Sequence, residues 1–135
     1  MKIVVVDGQG GGVGRMLVEQ LKAARPGDTI IAVGTNAIAT SAMLRAGADA
    51  GATGENAVCY NCADADILLG PSGIATANAM LGEISPAIAT AVCSSPARKY
   101  LVPMEGCCPT PGKRAATLGD AVAALIQEVM AALSQ

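Results

Sequence analysis

Ile3-Val4-Val5-Val6-Asp7-Gly8-Gln9-Gly10-Gly11-Gly12-Val13-Gly14-Arg15 is a run of four β-branched residues that ends in five glycines within seven positions. Four consecutive apolar β-branched residues suit a strand covered on both faces. The glycines that follow remove the Cβ atoms that would hold a ligand's phosphate away from backbone N–H groups. A helix begun at that point adds its own dipole and unpaired N–H groups, which favour an anion. The segment therefore reads as strand, phosphate-sized turn and helix start. Asp7, Gly8, Gln9, Gly10, Gly11, Gly12, Val13, Gly14 and Arg15 are the first candidate ligand-binding residues. Val13 and Gly14 are expected to supply N–H groups and Arg15 a phosphate partner. A purely structural turn stays open as the alternative, because tight strand-to-helix turns also need glycine.

The same logic extends along the chain. A helix is predicted from about Gly12 to Ala24, with Val13, Leu17 and Leu21 on one face. Thr29 to Val33 reads as a second strand, and Asn36 is placed to cap a helix from about Ala37 to Ala46 that stops at Gly47. Gly51, Thr53 and Gly54 read as a turn. Ala57 to Cys62 suits a short strand or a short helix, and the residues do not decide between them. Asp66 to Leu69 is a further strand, closed by Gly70-Pro71-Ser72-Gly73. A mostly helical region is expected next, interrupted at Gly82 and restarted by Ser85 and Pro86 to run to about Cys93. Tyr100 to Pro103 is the last strand. Thr117 and Asp120 then have capping-box spacing ahead of a one-face apolar helix through Leu133.

Strands alternating with helices predict a single α/β domain over residues 1–135, with a mainly parallel sheet of about five strands and helices on both faces. Strand order 3-2-1-4-5 puts a reversal between the first strand and the Asp66 strand. Ligands of such sheets bind at that crevice, outside the carboxyl ends of the strands. Three loops are predicted on that rim: Gly8 to Gly14, Gly34-Thr35-Asn36, and Gly70-Pro71-Ser72-Gly73. Thr35 suits a phosphate and Asn36 a ribose hydroxyl, although Asn36 equally suits a helix cap.

Composition excludes several functions. The chain has 135 residues with 52% apolar and 15% charged side chains, a net charge of −2 and no histidine. Imidazole acid–base chemistry, Ser-His and Cys-His nucleophile pairs and histidine metal ligands are thereby removed. No basic cluster or aromatic platform is present for nucleic acid. No apolar run approaches the roughly 20 residues of a membrane span. A strand starting at the second residue leaves no room for a signal sequence, so a cytoplasmic location with reduced cysteines is expected. The small charged fraction also suggests surface covered by self-association, as a homodimer or higher homo-oligomer. Cys59-x-x-Cys62 with Cys107 and Cys108 offers four thiols, which makes a zinc or iron–sulfur site an alternative reading. Cys93 reads as core. Glu55, Asn56, Asn78 and Glu83 are polar among apolar neighbours and are candidates to face the crevice; Glu55 is the best placed as a general base. Capping or an exposed helix face is their alternative. Lys99, Lys113 and Arg114 read as solvated charges.

Gly8-x-x-x-Gly12-x-Gly14 resembles the GxxxGxG turn of short-chain dehydrogenases, whereas the GxGxxG form fails at Val13. That resemblance implies an NAD(P) cofactor or another adenine nucleotide. It also implies a tyrosine with a lysine four residues on; here Asp64 follows Tyr60 at that distance and Met104 follows Tyr100. An NAD(P)-dependent oxidoreductase would have to act without that pair. The loop is also similar to the deviant Walker A turn of ParA/MinD-type ATPases, with departures at the chemistry: Arg15 stands at the phosphate-binding lysine and Met16 at the Mg²⁺-holding hydroxyl.

Over nearly its full length the chain resembles a family of short bacterial and archaeal proteins, domain-of-unknown-function family 3842. The likeness rests on KIVVVDGQGGGVG, GTNAIATSAMLRAGADAGATGEN and ADILLGPSGIATANAMLGEISPAIA. It implies a Rossmann-like fold and no particular reaction. Together these readings predict a small nucleotide-binding or regulatory module.

Overall fold

A computed structural model describes residues 1–104 and 117–134. Five parallel strands form one sheet in the order β3-β2-β1-β4-β5: β1 (Ile3–Asp7), β2 (Ile30–Gly34), β3 (Ala50–Thr53), β4 (Ile67–Pro71) and β5 (Arg98–Val102). The helices are α1 (Gly12–Ala24), α2 (Ala37–Arg45), α3 (Glu55–Cys62), α4 (Pro86–Ser94) and α5 (Leu118–Leu133). The expected α/β class and strand order are both present.

Side-chain alternation along β1 divides the core in two. Ile3 and Val5 join Leu17, Val18 and Leu21 of α1, Met43 of α2, and Val122, Ile126 and Val129 of α5. Val4 and Val6 face the other way, onto Val58 and Cys62 of α3 and Ile88, Ala89 and Val92 of α4. All five residues of β1 are buried, as expected of a central parallel strand. Each such aliphatic side chain contributes roughly 1.5–3 kcal/mol on burial.

Helix ends follow local chemistry. Asn36 Oδ1 accepts from Ala39 N at 2.9 Å to cap α2, and Ser85 Oγ accepts from Ile88 N at 3.2 Å to cap α4, with Pro86 in its first turn. Thr117 Oγ1 accepts from Asp120 N at 3.2 Å at the start of α5.

Three expectations change. Ala50–Thr53 is a strand where a turn was predicted: it pairs on one side with Ile31 to Gly34 of β2 and is otherwise largely exposed, so it needs no apolar pattern. Residues 55–62 are a helix, which resolves the ambiguity. The segment after Gly73 is not mostly helical. A single 3₁₀ turn (Ser72–Ala75) leads into irregular turns in which Asn78, Met80 and Leu81 have φ of 67°, 57° and 56°. Gly70 and Pro71 belong to β4 itself, so the loop begins at Ser72. No helix among the described residues is long and apolar enough to cross a membrane.

Candidate functional site

Beyond the carboxyl ends of β1 and β4 lies a cavity of about 370 Å³, lined by Asp7 through Val13 together with Pro71, Gly73, Ala79, Met80, Met104 and Leu118. It occupies the switch point of the sheet, where β2 lies on one side of β1 and β4 on the other. The glycine loop forms one wall and the segment after β4 the other. A larger cleft of about 680 Å³ lies at the opposite end of β4 and β5, among Asp64, Asp66, Arg98 and Leu133. Its acids are engaged by Lys2, whose Nζ is 2.5 Å from Asp64 and whose backbone N–H donates to Asp66 at 2.6 Å. The polar loops gather at the switch-point end.

The five glycines of the first loop divide by what surrounds them. A Cβ on Gly14 would stand 2.6 Å from Met43 Sδ and 2.9 Å from Asp7 Cβ, and one on Gly8 would stand 2.8 Å from both Met80 Sδ and Thr35 Oγ1. Gly11 has φ +73° and lies against α2, where a Cβ would be 2.9 Å from Ala39 Cα. Crowding by backbone or side chains accounts for glycine at these three positions. At Gly10 and Gly12 a Cβ would meet no atom within 4 Å, and neither φ is left-handed. Both are exposed and both line the cavity. Nothing in the packing of the described residues accounts for the missing side chains there.

Asp7 anchors the loop from below. Its Oδ1 accepts from Gly8 N and its Oδ2 from Gly14 N, each at 2.7 Å. Burial pushes its carboxyl up, the Gly14 and Gly8 N–H groups pull it down, and nearby Glu83 adds to the rise; the net pKa stands above the ordinary aspartate range. The N–H of Gly14 is therefore committed to the chain's own carboxylate, which corrects its expected role as a ligand donor. Among the described residues, the N–H groups of Gly10, Gly12 and Val13 have no acceptor. These are the donors that a ligand could take.

Glu83 joins the loops. Its Oε1 accepts from Gln9 N at 3.0 Å, Thr35 Oγ1 at 2.7 Å and Asn36 Nδ2 at 2.8 Å. Burial alone would raise its pKa, but these three donors outweigh it and hold the carboxyl below the ordinary glutamate range. Asn36 Nδ2 also donates to Gln9 O at 3.0 Å, so its side chain caps α2 and braces the glycine loop together.

The remaining predicted residues are distributed unevenly. Pro71 and Gly73 line the cavity. Ser72 does not; its Oγ accepts from Met104 N at 3.1 Å and ties the turn to the chain leaving β5. Gly70 is buried, and a Cβ there would lie 2.4 Å from the Val6 carbonyl oxygen. Gly34, Thr35 and Asn36 sit beside the cavity rather than in its wall; Gly34 is crowded by Thr40, whose N would be 2.6 Å from an added Cβ. Arg15 lies outside the lining and is exposed, with Nη1 3.3 Å from Glu19 Oε1. Helical periodicity explains this, since Arg15 and Glu19 share the solvent face opposite Leu17 and Val18.

Glu55 is at the start of α3 and accepts from Ser85 Oγ, away from the cavity. Asn56 and Asn78 do not line it either. Glu83 is the functional candidate whose placement the sequence could not specify, because its partners lie 47 to 74 positions away.

Cys59 and Cys62 fall on α3, with Cys62 buried in the core and its thiol pushed up to about 11, chiefly by burial and then by Cys59. Cys93 is exposed rather than core. No group of three cysteine, histidine, aspartate or glutamate side chains suited to a metal ion occurs among the described residues. Cys107, Cys108, Lys113 and Arg114 lie outside them.

No curated protein sequence matches the chain. The Rossmann-like sheet and the glycine loop at its switch point accompany a match along residues 2–134, and the chain belongs to the family described as Domain of unknown function (DUF3842).

Proposed function

We propose that the protein binds a nucleotide in the switch-point cavity, of the NAD(P) or other adenine-nucleotide class, as a binding or regulatory module. The observation that carries this reading is the pair Gly10 and Gly12: both open onto the cavity, neither is required by backbone angle or by the packing of described residues, and the N–H groups of Gly10, Gly12 and Val13 are unclaimed by described residues. Backbone donors at a helix start suit a phosphate, and the apolar side chains of Met80, Met104 and Leu118 suit the flat face of a base or ring. Among the described residues, no lysine or arginine lines the cavity. The described donors for a phosphate are thus backbone dipoles.

The test is equilibrium titration of the purified protein with NAD⁺, NADH, ADP and ATP, repeated on Gly12→Val. The new Cβ meets no described atom within 4 Å at a position that lines the cavity, so circular dichroism should be unchanged while affinity falls at least about tenfold. Unchanged affinity in the variant would remove the loop from the binding site. Failure of the wild type to bind any of the four would overturn the nucleotide reading.

A further inference from the structure

Glu83 has a feature that its structural role does not use. All three donors that hold it, Gln9 N, Thr35 Oγ1 and Asn36 Nδ2, converge on Oε1. No described residue donates to Oε2. The carboxylate is thus fixed in place by one oxygen while the other is available, beside the glycine loop and outside the carboxyl end of β2. Gly8 separates it from the cavity: a Cβ there would lie 3.3 Å from Glu83 Oε1 and 2.8 Å from Met80 Sδ, and Met80 is part of the cavity wall.

A ligand whose phosphates lie over Gly10 and Gly12 would continue past Gln9 toward this carboxylate. In dinucleotide-binding sheets an acidic residue near the end of the second strand accepts from ribose hydroxyls. Here β2 ends in Gly34 followed by Thr35 and Asn36, and none of the three is acidic. Among the described residues, the only carboxylate held against those two residues arrives from the turn that precedes α4, some fifty positions along the chain.

Resting on the nucleotide reading above, we infer that Glu83 is a specificity-determining residue: it accepts from the ribose hydroxyls of the bound nucleotide through Oε2 and rejects a ribose carrying a 2′-phosphate. The ligand class narrows accordingly to NAD(H), ADP-ribose or ADP, to the exclusion of NADP(H). An ionised carboxylate has no proton to donate, so it suits hydroxyl donors and repels an anion placed in the same position. The fixed geometry adds to the discrimination, because an acceptor already immobilised by Thr35, Asn36 and Gln9 loses little freedom when the ligand arrives.

The experiment is a calorimetric or fluorescence titration of the wild type and of Glu83→Gln with NAD⁺ and with NADP⁺ at one ionic strength. The wild type should favour NAD⁺ about tenfold or more, the order expected when a carboxylate faces a phosphate a few ångströms away near the surface. Glu83→Gln, which removes the charge and keeps the shape, should collapse that ratio toward unity by improving NADP⁺ binding as well as weakening NAD⁺. Equal wild-type affinities would overturn the assignment of Glu83 while leaving nucleotide binding intact. So would a preference that survives in Glu83→Gln. Should neither dinucleotide bind but ADP bind, ADP against 2′-deoxy-ADP reads the same contact; should NADH, ADP and ATP also fail to bind the wild type, the parent reading fails and this one falls with it. If the variant does not fold, ADP against 2′-deoxy-ADP on the wild type reads the same contact: a loss of about tenfold supports it and equal affinity refutes it.

Discussion

Alanine substituted at Gly12 and at Gly14 should have opposite effects on stability, although the two positions are only two residues apart in the first turn of α1. In each case the unfolded chain loses freedom and the helix gains a better former, which together stabilise by up to about 1 kcal/mol. At Gly12 no described residue opposes that gain, because the new Cβ meets none of their atoms within 4 Å and φ is ordinary. At Gly14 the Cβ would stand 2.6 Å from Met43 Sδ and 2.9 Å from Asp7 Cβ. Met43 is fully buried and Asp7 nearly so, and Asp7 cannot retreat without stretching its 2.7 Å bond from Gly14 N. Overpacking of this kind costs about 1–3 kcal/mol, with roughly 1 kcal/mol more if the hydrogen bond weakens. Gly14→Ala should therefore lie about 2–3 kcal/mol below Gly12→Ala. The propensity terms are shared and cancel in that difference. Urea unfolding followed by circular dichroism would show it as separated midpoints with equal slopes, and thermal melts as a gap of roughly 5–10 °C. Midpoints equivalent within about 0.5 kcal/mol, or in reverse order, would refute the division of these glycines into packing-required and open positions.

Asp7 and Glu83 should give pH dependences of opposite sign. The folded pKa of Asp7 is raised, so the stability associated with this group is full at low pH and is lost as pH climbs through the folded value; the wild type's stability relative to Asp7→Asn should decline over that rise, and a flat difference would contradict it. The folded pKa of Glu83 is lowered, so its contribution is present above the ordinary glutamate range and disappears as pH falls through the folded value, a trend that Glu83→Gln should abolish in acid unfolding curves. Ser85→Ala removes the acceptor for Ile88 N and should cost about 1 kcal/mol, with Ser85→Thr retaining most of it; equal losses in both would exclude the cap as the cause. Peptide-mapped alkylation at pH 8 should label exposed Cys93 well before Cys62, whose burial and elevated pKa suppress its thiolate, and equal rates would place Cys62 at the surface.

What the sequence disclosed depended on how locally each signal was written. Ile3 to Val6 could only be an interior strand, and the glycines after it marked a turn against a helix, so β1, α1 and the position of the cavity were readable together. The caps Asn36, Ser85 and Thr117 were legible because each acts on an N–H three residues on. Ala50–Thr53 was not, since an edge strand pairs through its backbone and its Ala-Gly-Ala-Thr side chains contribute no pattern. The turns from Thr76 to Glu83 misled through their alanines and Met80, which favour helix. In the folded chain that preference yields to bonds such as Asn78 N to Ile84 O and Ile84 N to Ala79 O. The site's electrostatics were the least accessible part. Asp7 takes an N–H expected for the ligand, Arg15 turns outward to Glu19, and Glu83 reaches the loop only through tertiary structure.

The carboxylate bridge from Asp7 to Gly14 spans seven residues, whereas the seam that joins β4 to β1 is closed by contacts such as Lys2 N to Asp66 across 64. Short loops close early and long ones late, so topology orders the assembly of this site in time. The glycine loop can take its shape on the nascent amino-terminal half, before the opposite wall at Pro71 and Gly73 has been made. A complete cavity therefore exists only once the two halves have docked. Any molecule that fills it acts as a late clamp across the central seam, and by mass action raises the stability of the whole sheet, β5 included, though it need touch none of the last strand.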